Sequence, residues 1–201
     1  MTTFGYIILL IFLIILSAFF SGAETALMSI HYVKVKYLVK KKKPGAKILS
    51  KLKKNPHQLI ITLLLGNNIV NIFATAIATY LFIGWLGPSG AAISAIVMTF
   101  IILIFGEIIP KTFAVQNYEK VSLAVAAPTN ILLKIFFPLV KIFSIMTSTL
   151  NKFIKPTTSH KISEEELRVI LTLGRQEGVL SKDVAKIMHK VLDFEDTKVT
   201  K

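Results

Sequence analysis

The sequence contains no cysteine. Disulfide frameworks, thiolate metal sites and cysteine nucleophiles are therefore excluded. Acid is almost as scarce over the first 160 positions, where only Glu24, Glu107 and Glu119 face sixteen lysines and no arginine. Residues 161–201 carry eight basic and eight acidic side chains, so the net charge of +13 belongs entirely to the first part. The arginine-rich, aromatic-lined groove pattern of nucleic-acid binders is missing. The lysines instead flank apolar segments, as topology signals do. The N-terminus lacks a basic n-region and its apolar run is too long for a cleaved signal peptide, so it is expected to stay as a membrane helix.

What is abundant is apolar residue: 53% of the chain, with a mean hydropathy of +0.65, well above an ordinary soluble domain. Residues 4–30 read as a first membrane span, about 40 Å long if helical against a core of about 30 Å, so the last third is expected at the interface or lining a cavity. Ten lysines and no acid follow over residues 31–55. By the positive-inside tendency this loop is cytoplasmic and the N-terminus lies outside. "KKKKPG" marks a turn within it. Residues 57–85 read as a second span ending at the interface residue Trp85, "GPSG" at 87–90 as a tight turn, and residues 91–109 as a third span broken by Gly106 and Pro110.

The segment 121–155 is apolar overall but holds Pro128, Lys134, Pro138 and Lys141. Asn130, Lys134, Lys141, Ser144, Ser148, Lys152 and Lys155 fall on one narrow stripe at 100° per residue, which suits a helix lying in the interface. Pro138 is expected to kink it. Three spans with an interfacial belt are preferred to four, which keeps residues 156–201 in the cytoplasm. There "SEEEL" forms a capping box from Ser163 to Glu166. Leu167, Ile170 and Leu171 give one helix face, bounded by Gly174 and Gly178. Ser181 caps a second helix with Val184, Ile187, Met188, Val191 and Leu192 on one side. The fold class expected is thus an all-α membrane protein: residues 1–155 a transmembrane domain with a juxtamembrane belt, residues 156–201 a small cytoplasmic helical bundle. The chain stops without a closing cap, as a truncated one would.

Glu24 and Glu107 are the two acids inside the apolar segments, and charge at that depth is expensive unless paired or hydrated. Ser17, Ser21 and Glu24 share a face of the first span, as Asn67 and Asn71 do of the second, with Thr25 and Asn68 beside them. Hydroxyl, amide and carboxylate oxygens suit hard cations such as Mg²⁺, Ca²⁺ or Na⁺. "LLGNN" and "FGEIIP" are places where helices can open toward an ion, and Pro110 leaves the Gly106 carbonyl without its helical donor. Blander readings stay open. The serines can bond back to their own helix or simply pack, and the asparagines can join helices. Glu24 can sit among headgroups and lysines, and Glu107 can pair with Lys111 four residues on.

"LSAFFSGAETALMS" (16–29), "LLLGNNIVNI" (63–72) and "IFGEIIPKTFA" (104–114), in that order, resemble the transmembrane domain of the CorC / cyclin-M (CNNM) magnesium transporter family. "ISEEELRVILTLGRQEGVLSKD" and "VLDFEDTKV" resemble the helical linker that follows it. The resemblance implies a homodimer of three-span subunits in the plasma membrane that exports Mg²⁺, driven by Na⁺. A nucleotide-binding CBS pair, absent here, would be the only route to ATP. The resemblance carries ligand roles for a dehydrated Mg²⁺ onto Ser17, Ser21, Asn67 and Glu107, to which the residue reading adds the free Gly106 carbonyl; Glu24 matches less closely, since cyclin-M-type members lack a carboxylate there. The alternative is a non-transporting cation sensor or scaffold. An enzyme is not expected, because no nucleophile–base pair or His-containing metal motif lies in the spans.

Overall fold

The computed structural model describes residues 3–143, 168, 171–172 and 182–195. The chain divides into two compact units, residues 1–150 and 151–201. All regular structure among the described residues is helical.

In the first unit, α1 (Thr3–Ser29) begins as an exposed apolar rod and becomes enclosed only from Ser17 onward. The small residues of "SGAETA" cause this, because they let neighbouring backbones approach. The last third of α1 is thus walled by protein. Beyond it come two short helices, α2 (Tyr32–Lys40) and α3 (Ala46–Leu52), where the sequence reads only as a lysine-rich loop with a turn. The turn is there: Lys42 and Gly45 have positive φ, 53° and 79°. The helices on either side form because Val35 and Leu38, then Ala46, Leu49 and Leu52, recur at helical spacing and are buried. Lysines occupy the opposite faces. A side chain on Gly45 would reach within 2.6 Å of the Leu123 carbonyl, so glycine is required there both for φ and for close packing.

Helix α4 (Pro56–Leu86) starts on a proline in its first turn and runs 31 residues without interruption. "LLGNN" therefore does not open the helix, contrary to the expectation. Gly66 instead admits the Phe20 ring, which a methyl group at that position would overlap. At Gly87, φ 70°, the chain turns through a short 3₁₀ segment, Gly87–Ser89, into α5 (Gly90–Ile101). α5 runs back along α4. Thr79 and Ser94 hydroxyls meet at 3.2 Å, Ala74 and Ala78 pack on Met98, and Gly90 seats against the Phe82 carbonyl.

The expected break near Gly106 and Pro110 takes the form of a π-helical segment, Ile102–Ile108, in which Ile109 N–H donates five residues back to the Ile104 carbonyl. Proline has no N–H and its ring crowds the carbonyl four residues earlier, so a wider turn relieves both strains. The helix then resumes as α6 (Ile109–Gln116). α7 (Tyr118–Ile135) lies across α1 and α3, burying Ser122, Val125, Ala126 and Thr129 at i, i+3, i+4 and i+7. After Phe136 the chain bends by 74° into α8, Phe137–Phe143. Pro138 explains the bend, since it has no N–H for the Lys134 carbonyl and its ring crowds that carbonyl. The polar stripe is broken there; its members Ser144, Ser148, Lys152 and Lys155 lie outside the described residues.

By length and composition, Thr3–Ser29 and the 61-residue stretch Pro56–Gln116 can cross a membrane, with a third candidate if the bent pair α7–α8 counts as one span. In the second unit, α9 (Lys182–Glu195) matches the expected second helix of the tail. Val184, Ile187, Met188 and Val191 on it are exposed. The capping box of Ser163 and Glu166, the Leu167 and Ile170 positions, Gly174, Gly178 and Ser181 lie outside the described residues.

Candidate functional site

The polar face predicted on α1 points into the protein. Ser17 and Ser21 are 1% and 0% exposed. Two glycines bring the neighbouring helices onto them. Gly66 lets α4 close over Phe20, which carries Asn67 to α1, and the Ser17 hydroxyl donates to Asn67 Oδ1 at 3.2 Å. Gly106 brings the π segment onto the same hydroxyl, so that a methyl group on Gly106 would stand 2.8 Å from Ser17 Oγ. Gly22 faces Pro110, where an added methyl would stand 3.6 Å from the Pro110 carbonyl oxygen, an ordinary contact. Ser17, Asn67 and Gly106 are therefore brought together from three elements.

Ser21, one turn further along α1, has a buried hydroxyl with no hydrogen-bond partner. It shares this state with the Thr129 hydroxyl of α7, and differs from most hydroxyls of the helices. Thr25, Ser29, Thr62, Thr75, Thr99 and Thr112 each donate to the carbonyl four residues back, the ordinary way a helix satisfies a hydroxyl in apolar surroundings. Ser17 and Ser21 do not. An unpaired buried hydroxyl costs about 1–3 kcal/mol, and the remaining explanations are tight packing or a partner that arrives from outside.

Glu107 follows Gly106 on the π segment and is half-buried; Glu24 is half-buried on α1. Among the described residues neither makes a hydrogen bond or ion pair, so the Glu107–Lys111 pairing is not formed. Asn67 does join helices, as the packing alternative expects. Asn68 is exposed, and with Asn71, Ile72 and Thr75 it lines a separate open notch of about 430 Å³. Asn71 thus serves that notch rather than the Ser17 face, and its Oδ1 is buried without a partner. No cluster of three His, Cys, Asp or Glu exists among the described residues; the convergent oxygens here come from serine, asparagine and backbone.

The sequence reading missed the polar groups of α7. Ser122 Oγ donates to the Ala26 carbonyl at 2.8 Å, and the Thr129 hydroxyl is buried and unpaired. The periodic face of Ser122, Val125, Ala126 and Thr129 was the available signal. It missed Lys53 as well, whose ammonium donates to the Leu27 carbonyl at 2.9 Å and closes the end of α1. Burial lowers the Lys53 pKa, whereas Glu119, 2.9 Å away, raises that of Lys34.

Long apolar helices packed around a buried, oxygen-bearing face define a multi-pass membrane protein of the all-helical class. The chain belongs to the cyclin M family: residues 8–184 match the model described as "Cyclin M transmembrane N-terminal domain". It is 37% identical over 195 residues to a "UPF0053 protein" of Haemophilus influenzae, covering 96% of this chain and 46% of that one. It is 36% identical over 191 residues to the "UPF0053 inner membrane protein YfjD" of Escherichia coli, covering 92% and 44% respectively. A "Polyamine export protein" of Haemophilus influenzae is 26% identical over 215 residues, covering 100% of this chain and 50% of that one. The chain spans less than half the length of the first two relatives.

Proposed function

We propose that this chain is the membrane domain of a Mg²⁺ exporter of the plasma membrane, coupled to Na⁺ and acting as a homodimer. α1, α4 and the α5–α6 rod are its three spans, with the N-terminus outside and the α2–α3 helices and C-terminus in the cytoplasm. The ion lies between α1, α4 and the π segment, bound by Ser17, Ser21, Asn67, the Gly106 carbonyl and Glu107. The observation that carries the reading is the Ser21 hydroxyl, buried and unpaired one turn from Ser17. A second supports it: Ser17 Oγ and Asn67 Oδ1 are 3.2 Å apart, close to the roughly 3 Å edge of an octahedron with metal–oxygen bonds of 2.0–2.1 Å. Neutral oxygens plus one carboxylate leave a divalent ion undercompensated, which favours release as well as capture.

Calorimetric titration of the purified protein with Mg²⁺ tests the site. Glu107→Gln and Asn67→Ala are each expected to weaken binding at least tenfold, and unchanged affinity in both would sink the assignment. Flux in liposomes, with the cytosolic domains of the whole protein present, separates a transporter from a sensor or scaffold, which binds without moving the ion.

The polyamine exporter among the relatives motivates a second reading, in which the cargo is an organic polycation. A long polyamine needs several separated carboxylates. Here only Glu24 and Glu107 lie in the three spans proposed above, so we keep Mg²⁺ as the cargo. Uptake of labelled spermidine, unaffected by excess Mg²⁺, would reverse that choice.

A further inference from the structure

At the lysine-rich end of the helices, away from the Ser17 face, a cleft of about 420 Å³ opens between α3, the start of α4, and α7 with α8. Its volume is within the roughly 300–1,000 Å³ of small-ligand clefts. Lys51 from α3 and Lys134 from α7 stand in its wall, and Asn55, Gln58 and Asn130 add three side-chain amides. The rest is apolar, chiefly Leu133 and Phe137. Among the described residues no acid lines the cleft. The only acids before residue 164 are Glu24, Glu107 and Glu119, and Lys34 already holds the last of these. Two ammonium groups and several amide donors, with no carboxylate to answer them, make the cleft complementary to an anion rich in oxygen.

The cleft does not end in water on every side. Asn55 takes the N-cap position at the start of α4, and Gln58 opens a face of it that continues, in steps of three and four, through Ile61, Leu65 and Asn68. Ile61, Leu64 and Leu65, with Asn68 at its edge, line a second, largely apolar groove of about 260 Å³, bounded by Phe143. Phe137 of the cleft and Phe143 of the groove are the two ends of α8. The 74° bend that turns α8 away from α7 is thus what makes the two hollows neighbours. A polar, cationic compartment beside an apolar one, both on the outer side of a candidate span, matches an amphiphile: an anionic head in the first and a hydrocarbon chain in the second.

The geometry points to a site for one anionic glycerophospholipid, its phosphate between Lys51 and Lys134 and an acyl chain along Ile61 and Leu65. Basic pockets between membrane helices hold such headgroups by the same chemistry. The lipid would tie α3 to α7 and α8. The inference does not depend on which ion the chain moves.

Native mass spectrometry of the full chain, delipidated in detergent, tests it with three probes: dimyristoyl phosphatidylglycerol, dimyristoyl phosphatidylcholine and sn-glycerol 3-phosphate. Wild-type protein is expected to retain one phosphatidylglycerol per protomer at least tenfold more tightly than phosphatidylcholine, and glycerol phosphate weakly. The pair Lys51→Gln with Lys134→Gln should abolish that preference. The pair Lys40→Gln with Lys47→Gln, exposed lysines outside the cleft and of equal charge, should leave it intact. An equal loss in both pairs would overturn the site in favour of general surface charge. Glycerol phosphate binding as tightly as the lipid would reduce it to a phosphate site. Cross-links from Leu65 to a second copy in wild-type protein, with no lipid retained, would assign the groove to a protein contact instead.

Discussion

The Lys53 ammonium reaches across 26 residues to donate to the Leu27 carbonyl at 2.9 Å. That oxygen is one of the last four of α1, which have no partner within the helix, and a cation there also meets the negative end of the helix dipole. Lys53→Met is expected to destabilise the protein by about 1 kcal/mol, the net value of such a bond at a partly exposed site. Thermal denaturation in detergent measures it.

The same lysine sets a pH dependence. Burial holds its folded pKa below the ordinary value of 10.5, so in the alkaline window between the two values the unfolded chain binds more protons and stability rises with pH. Lys34 acts in the opposite sense. Its pKa is raised by Glu119, so its contribution is present below the unfolded value and lost as pH climbs through the folded one. Lys53→Met should therefore flatten the gain in melting temperature below pH 10.5, and Glu119→Gln should remove the loss that Lys34 imposes above it. Melting curves taken from about pH 8 to about pH 11.5, across both windows, check both signs.

Gly106→Ala would place a methyl group 2.8 Å from Ser17 Oγ. Relief requires the hydroxyl to turn, which forfeits its bond to Asn67. The expected loss is about 1–3 kcal/mol. Ser17→Ala alone should cost about 1 kcal/mol. Because both act on one contact, the double variant should be more stable than the sum of the singles. A double-mutant cycle reads this coupling, and simple additivity would remove the contact from the account.

Gly66 and Gly90 are both tight, but against different neighbours. Gly66 faces the Phe20 ring, whereas Gly90 faces the Phe82 backbone carbonyl. A ring can be trimmed and a carbonyl cannot. Gly66→Ala should be rescued in large part by Phe20→Leu, while no side-chain change at Phe82 should rescue Gly90→Ala. Expression and melting temperature of the four variants give the comparison.

The sequence made the long helices plain. Residues 4–30 and 57–85 anticipate Thr3–Ser29 and Pro56–Leu86 almost to the residue, because a continuous apolar run has only one inexpensive backbone in a bilayer. The role of Gly66 was misread for a physical reason. A glycine looks the same in a sequence whether it opens a helix or admits a ring, and only the position of Phe20 decides. α2 and α3 are less legible, because their many lysines break up the apolar periodicity of Val35, Leu38, Leu49 and Leu52. Ser17 and Ser21 could be placed on one face from their spacing. That neither bonds back to its own helix required coordinates.

A π-helical turn holds one residue more than an α-helical one would. Ile102–Ile108 therefore fixes the angular phase between the outer half of this rod and everything after it. Deleting one residue there, Ile104 for instance, would give a uniform α-helix in the same phase, whereas winding all the present residues as an α-helix would turn the two halves by about 100° relative to each other. Gly106 could then no longer face Ser17 while α5 keeps its seat on α4. The surplus residue acts as a phase setting: it lets a single rod satisfy Met98 against Ala78 at one end and present Gly106 to α1 at the other.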